Sequence, residues 1–176
     1  MIILPTTYMG SAEWYRQFLA NPSVVQIEVM ESFPKQTYRN RCMITTPDGP
    51  LTLSVPVKRA DSKQLTRDVE ISYQQRWQHQ HRIALMSAYK RTPYFDYYAD
   101  FFRPFFEKET RFLVDLNQGL HEVITQLIQN SECKIHNLAF TTDWQGLDLE
   151  PCFGNGQSVL DLLFEYGPEV PIIIQN

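Results

Sequence analysis

The stretch YQQRWQHQHRIALMSAYKRTPYFDYYADFFRPFF, from Tyr73 to Phe106, decides the fold of this chain, because it holds eleven of the 23 aromatic residues. Its first half has a clear helical period, since residues three and four apart lie on the same side of a helix. One face of that helix carries Trp77, His81, Ala84, Leu85 and Ala88. We predict that this face is turned inward and that His81 is buried on it.

His81 is open to two hypotheses. A polar ring on an apolar face must find hydrogen-bond partners or cost about 1–3 kcal/mol. His81 is therefore either a core histidine bonded to a backbone carbonyl or a tyrosine hydroxyl, or a general acid or base that lines a pocket. His79 falls on a different face with Arg82 and Met86, so we do not expect the two histidines to chelate a metal together.

Length and composition predict a single domain over residues 1–176, strand-rich in 1–73, helical in 74–130, and short strand, turn and helix in 131–176. The hydrophobic content of 43% is sufficient for a full core. The net charge of -4 disfavours general attraction to nucleic acid. No apolar run approaches the roughly 20 residues that cross a bilayer, and MIILP lacks the features of a signal peptide, so no integral membrane segment is expected.

The three cysteines, Cys42, Cys133 and Cys152, are widely spaced and contain no CxxC pair. This pattern encodes neither a disulfide framework nor a cysteine zinc site. It favours reduced thiols and a cytoplasmic protein with no metal site. No phosphate-binding glycine loop of either standard spacing is present, and no cofactor is predicted.

The first thirty residues read as strand, helix and strand, with strands at Ile2 to Leu4 and Val24 to Met30 and a helix capped by Ser11. Such a unit favours parallel pairing and an α/β (α+β) fold. Ligands gather at the carboxyl ends of parallel strands, which is where the hydroxyl side chains of Thr6, Thr7 and Tyr8 lie. The alternative is that these hydroxyls cap the following helix.

A β-hairpin is predicted from Thr37 to Lys58, with its turn at Thr46 to Pro50. The expected architecture is therefore a small mixed sheet covered by a helical lobe. In an extended strand Arg39 and Arg41 share one side, where two guanidinium groups can grip a phosphate or carboxylate. The alternative is a solvated edge strand whose charges discourage aggregation.

The rest of the chain reads mainly as helices. The aromatic residues after Thr92 and Pro93 form either core or a binding surface, and Pro104 is expected to break or kink their helix. His121 lies outside the leucine stripe of the next helix and is predicted to be on the surface. The remaining predictions are a strand at 68–73, a long helix at 107–130, a strand at 134–140, a helix at 159–166 capped by Ser158, and an edge strand at 170–174.

Several blocks of sequence together resemble the WbqC-like protein family. They are KQTYRNRC from Lys35, LTLSVPVK from Leu51, the long block from Asp68 to Tyr98, RPFFEK from Arg103 and LDLLFEYGPE from Leu160. The resemblance implies an intracellular bacterial protein of O-antigen or other surface-polysaccharide biosynthesis. The residues that match the family pattern are Pro5, Tyr8, Asn40, Arg41, Trp77, His81, Tyr89 and Pro93. Leu4, Thr6, Thr7 and the segment 153–157 depart from it.

On this resemblance we expect a transferase that moves an acyl or aminoacyl group onto an amino sugar or nucleotide sugar. The expected catalytic residues are His81 as base, Arg41 holding a phosphate or oxyanion, and Tyr8 orienting the substrate. The expected substrate-binding residues are Asn40, Tyr89, Trp77 and Lys35. The partner is then a small sugar substrate, and a homodimer is left open.

Two alternatives remain. The first is a non-catalytic protein that binds a sugar or a partner through its aromatic surface, in which case Tyr94, Tyr97 and Tyr98 would be exposed. The second is single-stranded nucleic-acid binding through the basic residues and stacked aromatics, which the acidic net charge disfavours. A closed cleft joining Tyr8, Arg41 and His81 would favour the enzyme.

Overall fold

The computed structural model describes residues 2–20, 25–58, 63–129, 139–141 and 158–175. Within these ranges helices and strands alternate at the start of the chain and helices dominate afterwards. The strands are β1 Ile2–Pro5, β2 Val25–Glu28, β3 Arg41–Thr46, β4 Gly49–Ser54 and β5 Ala139–Thr141. The helices are α1 Ala12–Ala20, α2 Trp77–Tyr89, α3 Phe95–Glu107, α4 Leu113–Gln129, α5 Val159–Tyr166 and α6 Val170–Gln175.

The predicted strand-helix-strand unit is confirmed. β1 and β2 pair in parallel from Ile2 opposite Val25 to Pro5 opposite Glu28, and β5 pairs in parallel with the other edge of β2. Between them α1 begins after Ser11, whose hydroxyl accepts the amide of Trp14 at 3.2 Å. The chain therefore has the predicted mixed α and β architecture. The predicted strand at 134–140 lies outside the described residues except for its last two, which belong to β5.

The hairpin of β3 and β4 is present but forms a sheet of its own in the described chain, rather than extending the parallel sheet. Gly49 closes its turn with φ 114°, a conformation that favours glycine. β3 begins at Arg41 rather than Thr37, because the preceding residues form turns in which Gln36 has φ 64°. The strand predicted at 68–73 is also wrong, since Glu70 and Ile71 form single bridges only.

Two later elements differ from the prediction. Pro104 does not break α3, which continues through it to Glu107. Proline removes one helical hydrogen bond, but the rings of Phe102 and Phe106 on either side of it are buried, so packing holds the helix together. The tail from Val170 is the helix α6 and not an edge strand.

The helix α5 is bounded as predicted. Ser158 caps it by accepting the amide of Leu160 at 3.1 Å, and Gly167 ends it with φ 52°. A Cβ at Gly167 would lie 2.5 Å from the ring of Tyr94. This turn therefore requires glycine for both conformation and space.

α4 supplies much of the core. It begins at Leu113 rather than 107, and Leu113, Leu116, Leu120 and Ile124 are at most 2% exposed. The predicted leucine stripe is therefore its packing face. Within the described ranges, no helix is both long enough and apolar enough to cross a membrane.

One carboxylate fastens α5 to the rest of the molecule. Asp161 Oδ1 accepts hydrogen bonds from the Tyr89 hydroxyl at 2.6 Å and the Thr45 amide at 3.1 Å, and Oδ2 accepts the Thr45 hydroxyl at 3.1 Å. Burial, with the nearby carboxylate of Asp161, raises the pKa of Tyr89 above its usual range. The hydroxyl therefore stays protonated and donates, joining α2, β3 and α5.

Removing this donor is expected to weaken the junction. Tyr89→Phe should lower the free energy of unfolding by about 1–3 kcal/mol, because a buried hydrogen bond to a charged group is lost. Urea denaturation followed by circular dichroism measures the change. The matched control is Tyr97→Phe, at a ring that is 73% exposed, which should change stability by less than about 0.5 kcal/mol. Equal effects of the two substitutions would contradict the proposed anchor.

Candidate functional site

A buried hydrogen bond joins two of the predicted catalytic residues. Tyr8 lies in the loop that follows β1, and its hydroxyl is 2.8 Å from His81 Nδ1 on α2. Tyr8 is fully buried and His81 is 4% exposed. The prediction that His81 lies on the inward face with Trp77 and Leu85 is confirmed, whereas His79 is exposed.

Two groups from other elements act on the His81 ring. One is the Tyr8 hydroxyl, and the other is the main chain of Ser54, which lies close enough to raise the histidine pKa, as an acceptor carbonyl does. We infer that the ring donates its proton to Ser54, which leaves Nδ1 to accept the proton of the Tyr8 hydroxyl. The partners match those of the core-histidine hypothesis.

Burial sets the charge state of the pair. Loss of solvation lowers the pKa of His81 to about 4, and the Ser54 bond opposes this only in part. Burial likewise raises the pKa of Tyr8 well above its usual value, with a smaller contribution from Cys42. At neutral pH the pair therefore consists of a neutral imidazole and a protonated phenol.

Arg41 connects to this pair through the hairpin. It starts β3 directly opposite Ser54, and its Nε donates to the Ser54 hydroxyl at 2.9 Å. The side chain is half-buried, and its two terminal nitrogens form no hydrogen bond with the described residues. Arg41 and the Tyr8–His81 pair therefore all lie close to Ser54, and the guanidinium side chain is half-buried.

Two further predicted residues, Trp77 beside His81 and Asn40 next to Arg41 in the chain, carry polar atoms without a partner in the described residues. Trp77 packs edge-on against His81 with ring centroids 5.2 Å apart, and Asn40 donates its amide nitrogen to the carbonyl of Val55 at 2.9 Å. Trp77 Nε1, a donor, and Asn40 Oδ1, an acceptor, are both buried without a hydrogen-bond partner in the described chain. Such atoms are uncommon and call for an explanation.

The remaining predicted residues lie elsewhere. Tyr89 is committed to Asp161, and Lys35 is exposed in the turn before the hairpin. Arg39 does not share a strand face with Arg41, because it is buried and paired with Glu31, with Nη2 2.9 Å from Oε2. The prediction that two arginines bind one ligand from the same strand face is therefore wrong. In the described residues Arg41, unlike Arg39, is not paired with a carboxylate.

The prediction that His121 is on the surface is wrong. Its ring is 5% exposed and packs among the rings of Trp14, Tyr15 and Phe18 on α1. α4 is buried on two sides, so a position beside its leucine stripe is also covered. His121 lies four residues after Asn117, and residues at this spacing share a helix face. Asn117 is also buried, with 2% of its surface exposed, so this polar pair marks a second covered face of α4.

Thr6 and Thr7, at the carboxyl end of β1, lie beside Asn117 and His121 and are also buried. They do not cap α1, since Ser11 does. Thr7 instead donates to the carbonyl of Tyr38 at 3.2 Å. Within the described ranges, no three His, Cys, Asp or Glu side chains are grouped so as to hold a metal ion.

Comparison with known families agrees with the blocks of sequence noted above between Lys35 and Lys108, whereas the block that starts at Leu160 lies outside the matched residues. The model of the WbqC-like protein family matches residues 15–138, which is most of the chain and includes Arg41, Trp77 and His81. The chain belongs to the WbqC-like protein family. Tyr8 and Asp161 lie outside the matched residues. Searches of curated proteins and of solved structures found no match.

The lowered pKa of His81, and of His121, also about 4 through burial, predicts a pH dependence of stability. Unfolded histidine has a pKa near 6.5, so the folded chain binds fewer protons below that pH. The free energy of unfolding therefore keeps its full value above about pH 6.5. It falls as the pH drops toward 4, by up to about 1.4 kcal/mol per pH unit for each ring.

The contribution of His81 is isolated by comparison with His81→Gln, which keeps an acceptor for Tyr8. Urea denaturation from pH 7.5 to 4.5 should show a shallower loss of stability in the variant than in the wild type. Parallel curves for the two proteins would mean that His81 is not held neutral by the fold.

Proposed function

We propose that the protein is a transferase that moves an acyl or aminoacyl group onto the amine of an amino sugar carried by a nucleotide, in the synthesis of O-antigen or another surface polysaccharide. The observation that carries the proposal is the arrangement around His81. In the described residues, the two terminal nitrogens of Arg41, the Trp77 Nε1 donor beside His81 and the Asn40 Oδ1 acceptor all lack a hydrogen-bond partner. The pathway is what the resemblance to the WbqC-like protein family implies.

Each of these groups has a natural ligand. A guanidinium matches a phosphate in geometry and charge, so Arg41 is suited to the phosphates of a nucleotide sugar. A donor and an acceptor that both lack partners fit an amide, an amine or a hydroxyl of the sugar. Binding such a ligand would satisfy Trp77 Nε1 and Asn40 Oδ1, each of which otherwise costs about 1–3 kcal/mol.

In the proposed reaction the sugar amine attacks the acyl carbonyl of a thioester or ester donor. The new C–N bond replaces the donor's C–S or C–O bond. The amine proton passes to the Tyr8 oxygen while Tyr8 gives its own proton to His81 Nδ1, and the same route returns a proton to the leaving group. Burial holds the pKa of His81 at about 4, so the imidazole is a weak base at neutral pH and its imidazolium passes the proton on rather than retaining it.

His81 is thus a positioning residue that acts through Tyr8, rather than a base that touches the substrate. Since Tyr8 is fully buried, the relay requires the ligand to open the wall beside it. We therefore expect substitutions at Tyr8 to affect turnover more than binding.

The first test is binding. Thermal shift with nucleotide sugars, acyl-CoA and amino acids should find a nucleotide sugar that stabilises the protein by about 2.7 kcal/mol at 100 times its dissociation constant. Arg41→Met should weaken that ligand about tenfold or more, and Arg91→Met, at an exposed arginine after α2, should not. Failure of every nucleotide sugar to bind, or equal affinity in the Arg41 variant, would contradict the proposal.

The second test is turnover. With the ligand found, mass spectrometry after addition of an acyl thioester should detect an acylated sugar nucleotide. Tyr8→Phe should lower kcat by about a hundredfold with little change in ligand affinity, and His81→Gln should shift the pH profile. Unchanged turnover in Tyr8→Phe would rule out proton transfer through Tyr8.

A non-catalytic binding protein is the second candidate, because α3 exposes part of its aromatic surface. Tyr97 is 73% exposed and Phe101 is 43% exposed, while Tyr94 and Tyr98 are half-buried and stacked with centroids 5.8 Å apart. If Tyr97→Ala with Phe101→Ala abolished sugar binding while Arg41→Met did not, this second function would replace the first.

A further inference from the structure

A second polar cluster, apart from His81, lies at the carboxyl ends of β1 and β2. We call it the carboxyl-edge crevice. It is lined by Thr6, Thr7, Trp14, Ile27, Asn117, Gln118 and His121. The crevice is narrow, with a cavity of about 10 Å³, which is roughly the space needed by one water-sized group.

Two buried atoms in the crevice have no hydrogen-bond partner within the described ranges, namely Asn117 Oδ1 and His121 Nε2. The orientation of Asn117 is fixed, because its Nδ2 donates to Thr6 Oγ1 at 3.1 Å and to the carbonyl of Arg39 at 2.8 Å. His121 Nδ1 lies 3.3 Å from the Tyr15 hydroxyl. The oxygen of one side chain and the outer nitrogen of the other are therefore the unpaired groups.

The chemistry of the lining favours a neutral ligand group. None of the residues that line the crevice is charged at neutral pH, since burial lowers the pKa of His121 to about 4. An isolated ammonium or phosphate would be costly here. A hydroxyl group donates one proton and accepts others, so it can donate to Asn117 Oδ1 and accept from His121 in the tautomer with the proton on Nε2, which leaves Nδ1 as the acceptor for the Tyr15 hydroxyl.

We propose that the carboxyl-edge crevice binds one hydroxyl group of a carbohydrate ligand, with Asn117 Oδ1 and His121 Nε2 as its partners. This inference rests on the proposed function and deepens it, since it gives the sugar an anchor distinct from the phosphate site at Arg41. Thr6, in the crevice, is two residues from Tyr8, so their Cα atoms are at most about 7 Å apart. The crevice is therefore near Tyr8 in the fold, as the proposal requires of two contacts made by one sugar ligand.

The direct test uses uncharged sugars, which do not require Arg41. N-acetylglucosamine, glucose and galactose are added to protein labelled with ¹⁵N-histidine, and the Nε2 signal of His121 is followed by NMR. At least one sugar should shift this signal along a saturating curve. Asn117→Ser should abolish saturation. If the shifts are absent, or rise linearly with the concentration of every sugar, the proposal is wrong and the crevice has room only for a single water.

The second test separates this inference from the proposed function. Calorimetry measures the binding of UDP and of UDP-N-acetylglucosamine, together with the nucleotide sugar found by thermal shift and its parent nucleotide. His121→Phe keeps a ring among Trp14 and Phe18 and should weaken the nucleotide sugar about tenfold, leaving the nucleotide alone unchanged. Arg41→Met should weaken both.

The outcomes are distinct. If nucleotide sugars bind and His121→Phe leaves their affinity unchanged, the crevice proposal is wrong and the proposed function stands. If no nucleotide compound binds but free sugars saturate the His121 signal, the crevice is a sugar site and the proposed function is wrong. Circular dichroism of each variant verifies that it is folded.

Discussion

The hydrogen bond between the Tyr8 hydroxyl and His81 Nδ1 is the constraint on which the arrangement of the molecule depends. It joins residues 73 positions apart, and His81 continues it to the main chain of Ser54. In the described chain the parallel sheet and the hairpin share no strand pairing. Contacts outside the strand ladders must therefore set the position of one sheet relative to the other. They include the backbone bond from the Tyr8 amide to the Tyr38 carbonyl at 3.0 Å and this buried pair, which joins the loop after β1 to α2.

Polar groups are concentrated at such junctions. Asn117 bonds Thr6 and the carbonyl of Arg39, and Arg39 is buried against Glu31. Six buried side-chain nitrogen or oxygen atoms lack a partner in the described ranges. Among them, Trp77 Nε1 belongs to a ring that packs on His81, Asn40 Oδ1 lies next to Arg41 in the chain, and Asn117 Oδ1 and His121 Nε2 belong to residues that line the carboxyl-edge crevice. Unpaired groups at these junctions have a physical reason if a polar ligand completes them, which links the framework of the fold to its proposed function.

Periodicity and capping made much of the fold predictable. The inward face of α2, the leucine stripe of α4, the cap at Ser158 and the parallel unit at the start follow from local sequence, and each is confirmed. The network of Tyr8, His81 and Arg41 could be suspected because the family pattern, helical spacing and charge indicated the same residues. The unpaired atoms of Trp77 and Asn40 depend on tertiary packing and could not be predicted.

The failures have a common origin. Whether His121 is buried depends on α1 covering a second side of α4, and whether Arg39 is free depends on Glu31, eight residues away in a separate segment. α6 is apolar and short, and such a run does not distinguish a helix from an edge strand. In each case a contact between elements overrides the local pattern, and sequence periodicity carries no information about that contact.

The most direct test of the central claim is a double-mutant cycle on Tyr8→Phe and His81→Phe, with the free energy of unfolding measured for the wild type, both single variants and the double variant at pH 7.5. If the hydroxyl and the imidazole are buried partners, the single losses overlap and the coupling energy is at least about 1 kcal/mol. Losses that add to within about 0.5 kcal/mol would show that the two groups do not interact, and would contradict this account.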